Sequence, residues 1–169
     1  MSVMATRIPP AFLLALYVAA PVQASNATNL KGLREFTVLI EGISPAAKQA
    51  GLTPEMLRSD VEQRLRRANI RVLSAEESHS KQRTYIAPAV YVAVTAMQRK
   101  DLPHLIIYSV HLAAAAWVTI HPSGREALGE IWRKEEIGAV GEERFIEIVK
   151  HSVANRVDML ITDLLSVSR

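Results

Sequence analysis

The 169-residue chain contains no cysteine. Disulfides, thiol catalysis, cysteine-ligated zinc, iron–sulfur chemistry and lipid attachment through a cysteine are therefore excluded. Glycine is sparse, and no Gly-rich loop stands between a strand and a helix; Gly51 precedes a helix alone, which is no phosphate cradle. Charge of one sign is also lacking. The net charge is +3, of which Arg7 supplies one, so the chain beyond residue 24 carries +2 with no polybasic run. That balance gives no electrostatic case for nucleic acid as a partner. No apolar run approaches the ~20 residues that a membrane-crossing helix needs.

What is present begins with a secretory signal pattern over residues 1–24. Arg7 supplies a positive start, Phe12 to Ala20 an uncharged apolar stretch of about nine residues, and Val22-Gln23-Ala24 the small residues of a cleavage site. Cleavage near Ala24-Ser25 would deliver the remainder to the periplasm or the medium, with no transmembrane anchor. Residues 25–33 read as a flexible polar lead-in and residues 34–169 as a single domain, long enough to bury a core without staples.

Phe36 to Ile40 is a compact apolar, β-branched run that reads as a strand, followed by a loop through Ser44-Pro45. Thr53 then sits where a helix cap belongs, and Pro54 at the first helical position. Leu57, Val61, Leu65 and Ala68 recur on one helical stripe, and Asn69 can end the helix before a strand over residues 70–73. Strand, helix, strand over roughly forty residues predicts a parallel βαβ unit. Residues 74–83 are polar and read as a loop. Ala89 to Met97 has apolar residues of both parities, as a central strand requires.

Leu105 to Ile120 is the longest strand candidate. Its even positions from Ile106 to Ile120 form a core face, and its odd positions form a mixed face of Ser109, His111, Ala113, Ala115, Trp117 and Thr119. His121-Pro122-Ser123-Gly124 is a turn, and Ala127 to Ile137 returns. With that four-residue loop, Leu128 lies opposite Trp117 and Trp132 opposite Ala113; a bulge would flip that register. From Glu142 to Leu165, Ile146, Val149, Val153, Val157, Leu160 and Leu164 step at helical spacing. The order β-α-β-β-β-β-α predicts an α+β two-layer sandwich with a mixed sheet, a long antiparallel hairpin and a long carboxy-terminal helix.

The pattern Gly51-Leu52-Thr53, Leu57, Asp60-Val61-Glu62, Arg64-Leu65-Arg66, Ile70-Arg71-Val72 and Tyr91-Val92 resembles that of a family of exported bacterial proteins without an assigned function, as does Ile161-Thr162-Asp163-Leu164-Leu165 near the end. The element order resembles, at fold level, the amino-terminal domain of the Tol-system propeller protein and the periplasmic part of the curli-secretion lipoprotein. That resemblance implies a binding or assembly module. This chain has neither a propeller nor the lipid-anchor cysteine of those proteins.

Catalytic and metal patterns are thin. No two of the five histidines, His79, His104, His111, His121 and His151, share a helix face at ligand spacing, and no metal or other cofactor is expected. Ser109 and His111 share a strand face, and Glu130 with Glu136 forms a candidate carboxylate pair, so a hydrolase on Ser109, His111 and Glu130 is a minor reading. The densest positive patch is Arg64, Arg66, Arg67 and Arg71, interleaved with Asp60 and Glu62, which reads first as a solvated face. The leading expectation is a non-enzymatic exported module that binds another envelope protein, or a second copy, through Trp117, Trp132, Leu128 and His111. Small Ala113 and Ala115 would leave room between them. The alternative is a small-ligand or lipid carrier with a pocket between sheet and helices.

Overall fold

The computed structural model describes residues 27–74, 76–78 and 87–168. The signal segment, His79 and most of the polar stretch around it lie outside the described residues.

Strand β1 runs Glu35–Ile40, β2 Arg71–Val72, β3 Ala89–Arg99, β4 Leu102–Ile120 and β5 Arg125–Gly141. They form one sheet in the order β2-β1-β3-β4-β5. β1 pairs in parallel with both β2 and β3, and β3, β4 and β5 run antiparallel to one another. The sheet is mixed, β3 is its middle strand, and the chain has the expected α+β architecture.

Among the described residues, helices α1 (Pro45–Gln49), α2 (Pro54–Arg67) and α3 (Phe145–Val167) lie on one face. α1 occupies the stretch read from sequence as a loop. Ser44 makes it a helix: its hydroxyl accepts from the Ala47 N–H at 3.4 Å and from the Ala96 N–H at 2.8 Å, so one side chain caps α1 and ties it to β3. α2 (Pro54–Arg67) starts as its sequence predicts, with the Thr53 hydroxyl accepting from the Met56 N–H and Pro54 in the first turn. It ends where Asn69 takes φ +59°, letting the Ile70 N–H return to the Leu65 carbonyl. After a 3-10 turn at Glu142–Arg144, α3 covers Phe145–Val167.

Between helices and sheet lies one continuous core. Leu57, Val61 and Leu65 of α2 and Phe145, Val149, Val157 and Leu160 of α3 are fully or nearly fully buried against Phe36, Val90, Val92, Val110 and Leu112. Burial of this kind contributes about 1.5–3 kcal/mol per large side chain. The lead-in is not loose from residue 27 onward. Ala27–Leu30 forms a 3-10 turn, Leu30 is fully buried in the core, and the Asn29 amide donates to the Ile131 carbonyl at 3.1 Å.

The long hairpin outruns the helices. On the helix-facing parity of β4, Ile106 to Ala114 are buried, Ala116 and Val118 only partly so, and Ile120 is 48% exposed. The turn is His121–Gly124, closed by the Gly124 N–H to the Ile120 carbonyl.

Candidate functional site

The sheet face opposite the helices is covered by no other element among the described residues. Its layout follows from register. Leu39, Tyr91, Ala113 and Arg133 form one row across β1, β3, β4 and β5. Ala93, His111 and Glu135 form the next, then Thr95, Ser109 and Ile137, then Met97, Ile107 and Ala139. Towards the hairpin end, Trp117 pairs with Leu128. Five of the large apolar side chains exposed on the molecule belong to this face: Leu39, Met97, Trp117, Leu128 and Ile137. Unattached single apolar residues are ordinary on a surface; several on one sheet face are a recognition feature.

At the centre lies a charged group. His111 Nε2 is 2.9 Å from Glu130 Oε1 and His111 Nδ1 is 3.0 Å from Glu135 Oε1, with the Tyr91 ring edge-on to the imidazole at 6.0 Å. The two carboxylates approach opposite edges of the ring, so they and a ring nitrogen do not converge on one point. Among the described residues, no group of His, Asp or Glu is placed to hold a metal ion.

Register also decides the hydrolase residues. Both His111 nitrogens face carboxylates, which leaves neither for Ser109, and Ser109 forms no hydrogen bond to the ring. Glu130 and Glu136 lie on opposite faces. The reason is a bulge: Ala115 pairs with Glu130 and Ala114 with Trp132, leaving Ile131 as an extra residue on β5.

The same bulge corrects the placement of Trp132. It pairs with Ala114 rather than Ala113, so its side chain turns to the helix side, where it is 1% exposed and its indole Nε1 donates to Asp163 Oδ2 at 2.8 Å. Trp132 is a core residue with a hydrogen bond to α3. Leu128 and Trp117, before the bulge, keep the expected pairing, 59% and 44% exposed. Ala113 and Ala115, expected to leave room on this face, are 0% and 8% exposed.

The basic patch is largely neutralised. Arg64 makes a two-oxygen contact with Asp158 at 3.0 and 2.9 Å, Arg66 pairs with Glu62 and Arg71 with Glu77, while Arg67 is exposed beside them. The Ser74 N–H and the Arg71 guanidinium hold the Glu77 carboxyl below its ordinary range. Exposed pairs of this kind contribute little to stability, because water screens them.

Beneath α3 lies a polar group that the sequence reading did not single out. Tyr108 Oη donates to Glu136 Oε1 at 2.9 Å, Ser152 Oγ donates to Glu136 Oε2 at 3.0 Å, and the Arg156 guanidinium pairs with the same carboxylate. Burial raises the Glu136 carboxyl, but the Tyr108 and Ser152 hydroxyls and the Arg156 charge outweigh it and hold it below its usual range. Tyr108 is moved the other way, upward, by burial and then by Glu136. Gly138, beside Glu136, makes this possible: a Cβ there would lie 2.6 Å from the Tyr108 ring. The sequence clue was Ser152 with Arg156, polar residues at i, i+4 inside an apolar stripe.

No family model matches the chain, and no curated protein does. Similar solved structures do exist. A minor lipoprotein from Acinetobacter baumannii is 5% identical with a TM-score of 0.43, covering 79% of this chain and 92% of that one. A PelC dodecamer from Paraburkholderia phytofirmans is 15% identical with a TM-score of 0.42, covering 82% and 89%. The rare lipoprotein B of Shewanella oneidensis is 14% identical with a TM-score of 0.36, covering 77% and 94%. This chain has no cysteine through which to carry a lipid.

The interface between sheet and helices, where a carrier would need its cavity, is occupied by Phe36, Leu57, Leu65, Leu112, Trp132, Phe145 and Leu160, each under 2% exposed. Clefts lined by described residues open along the helices. One of about 510 Å³ runs between α2 and α3 past Asp60, Arg64, Lys150 and His151.

Proposed function

We propose that this chain is an exported, non-enzymatic binding or assembly module that holds another protein of the cell envelope against the open sheet face. The observation that carries the reading is the grouping of Leu39, Met97, Trp117, Leu128 and Ile137 on one sheet face that no described element covers. The signal pattern over residues 1–24 and the motif resemblance to exported bacterial proteins support the compartment. Trp117 is the anchor of the contact. It is large, lies opposite Leu128 on the neighbouring strand, and is half exposed, which is the profile of a side chain that gains most when a partner buries it. His111, Glu130, Glu135 and Arg133 set the polar rim and the orientation.

The test is crosslinking in intact cells from a photoreactive residue at position 117, with position 165 on the outer surface of α3 as control. An adduct to another envelope protein from 117 alone, lost in Leu128→Lys, supports the reading. Equal labelling from both positions, or none from 117, overturns it.

A further inference from the structure

β5 is the outer strand of the sheet, and it guards only part of its free edge. Natural edge strands keep other chains off with charges, prolines or bulges. Through its middle β5 has all but the proline: the bulge at Ile131, the Asn29 amide on the Ile131 carbonyl, and charges at Arg133, Lys134, Glu135 and Glu136. From Ile137 to Gly141 it has none of them. Pairing with β4 there is regular, Ile137 is 78% exposed, and the row Met97, Ile107, Ala139 beside it continues the apolar surface. Among the described residues no segment pairs with this outer edge.

The charges that bracket this stretch have a pattern. Arg133 and Lys134 precede it, and Glu142 and Glu143 follow it. None of the four forms an ion pair among the described residues, whereas Arg64, Arg66, Arg71, Arg99, Arg144 and Arg156 all do. Glu143 folds back so that its carboxylate lies against Gly141, beside the end of the strand.

We infer that β5 pairs antiparallel with β5 of a second copy of this chain, about a two-fold axis through Gly138. An antiparallel pair related by a two-fold axis normal to the sheet keeps both open faces on the same side, and opposed residue numbers have a constant sum. Centred on Gly138, Ile137 of one copy opposes Ala139 of the other, and the 3-10 turn carrying Glu142 and Glu143, just past the end of the strand, comes beside Lys134 and Arg133, twice by symmetry. No like charges are directly opposed. Neighbouring registers are less favourable: centring on Ala139 brings Glu135 and Glu136 beside that acidic turn, and centring on Ile137 draws Lys134 and Arg133 back from it. Charge therefore selects one register of a backbone pairing that hydrogen bonds alone would leave free to slip. The inference rests on the edge of β5 and is independent of what binds the face around Trp117.

The test is sedimentation velocity on the chain purified from cells expressing the full sequence, over a concentration series at low and high salt. The expected result is a monomer–dimer equilibrium weakened by salt. Ile137→Lys and Lys134→Glu should each raise the dimer dissociation constant by about tenfold or more. Lys134→Glu combined with Glu142→Lys should restore most of the loss, with thermal unfolding unchanged. If Ile137→Lys does not fold, the charge-exchange pair carries the test by itself. A monomer at every concentration overturns the inference, including one in which the chain's own first residues cover the edge. So does a dimer indifferent to Lys134→Glu or not rescued by Glu142→Lys.

Discussion

The two tryptophans sit fifteen positions apart on the same hairpin and have opposite fates, which makes them the most direct reporters of how this chain assigns its faces. Trp132 fills the space between β5 and α3 and satisfies its N–H on Asp163. Trp132→Ala removes a fully buried indole and is expected to cost about 3–5 kcal/mol in urea unfolding. Asp163→Ala, which leaves that N–H without its acceptor, should cost about 1–3 kcal/mol. Trp117 pairs across the strands with Leu128 and stands 44% exposed. Trp117→Ala should therefore cost no more than about 1 kcal/mol. Equal losses for Trp132→Ala and Trp117→Ala would show that the two residues do not lie on different faces.

At the scale of elements, the bulge at Ile131 is the device that separates the two halves of β5. Deleting Ile131 forces one half to turn over. Turning over residues 132–141 would drive Trp132 and Glu136 out of the core, whereas turning over residues 125–130 moves only Glu126, Leu128 and Glu130 off the open face. The second loses far less buried surface, so the expected product is a folded protein of lowered midpoint. Its Trp132 indole N–H resonance should persist while the Trp117–Leu128 contact vanishes from its NMR spectra. Loss of the Trp132 resonance instead would reverse the assignment. The bulge also marks how far the sequence could be read. The helix cap at Thr53-Pro54, the stripe of Leu57, Val61 and Leu65, and the alternation along β4 are local signals, and each matches an element of the fold. An extra residue in one strand leaves no local signal: residues 127–137 alternate plausibly in either parity. So Leu128 was legible on the open face, while the helix-side placement of Trp132 was not. α1 was hidden for a related reason, because Ser44 caps it while bonding to Ala96, fifty-two positions away.

For the whole molecule, the polar group under α3 should contribute to the stability of the fold at both ends of the pH range. Glu136 is held below its ordinary range in the folded protein, so its contribution is present above the unfolded carboxyl value and is lost as pH falls through the folded one. Tyr108 is held above its ordinary value of 10.0, so its contribution is complete below that value and disappears as pH rises past it. The two share a hydrogen bond, and Arg156 and Ser152 complete the group from α3, so the loss at either end loosens the seam between the long helix and the edge of the sheet. The unfolding midpoint should thus form a plateau that falls on the acid side and again above about pH 10. Glu136→Gln should flatten the acid slope, because the residue no longer titrates, while lowering the plateau through the lost pairing with Arg156. Tyr108→Phe should flatten the alkaline slope and leave much of the acid one. An acid slope unchanged in Glu136→Gln, measured by differential scanning calorimetry across the pH series, would place the acid limit on other carboxylates and remove Glu136 from the account.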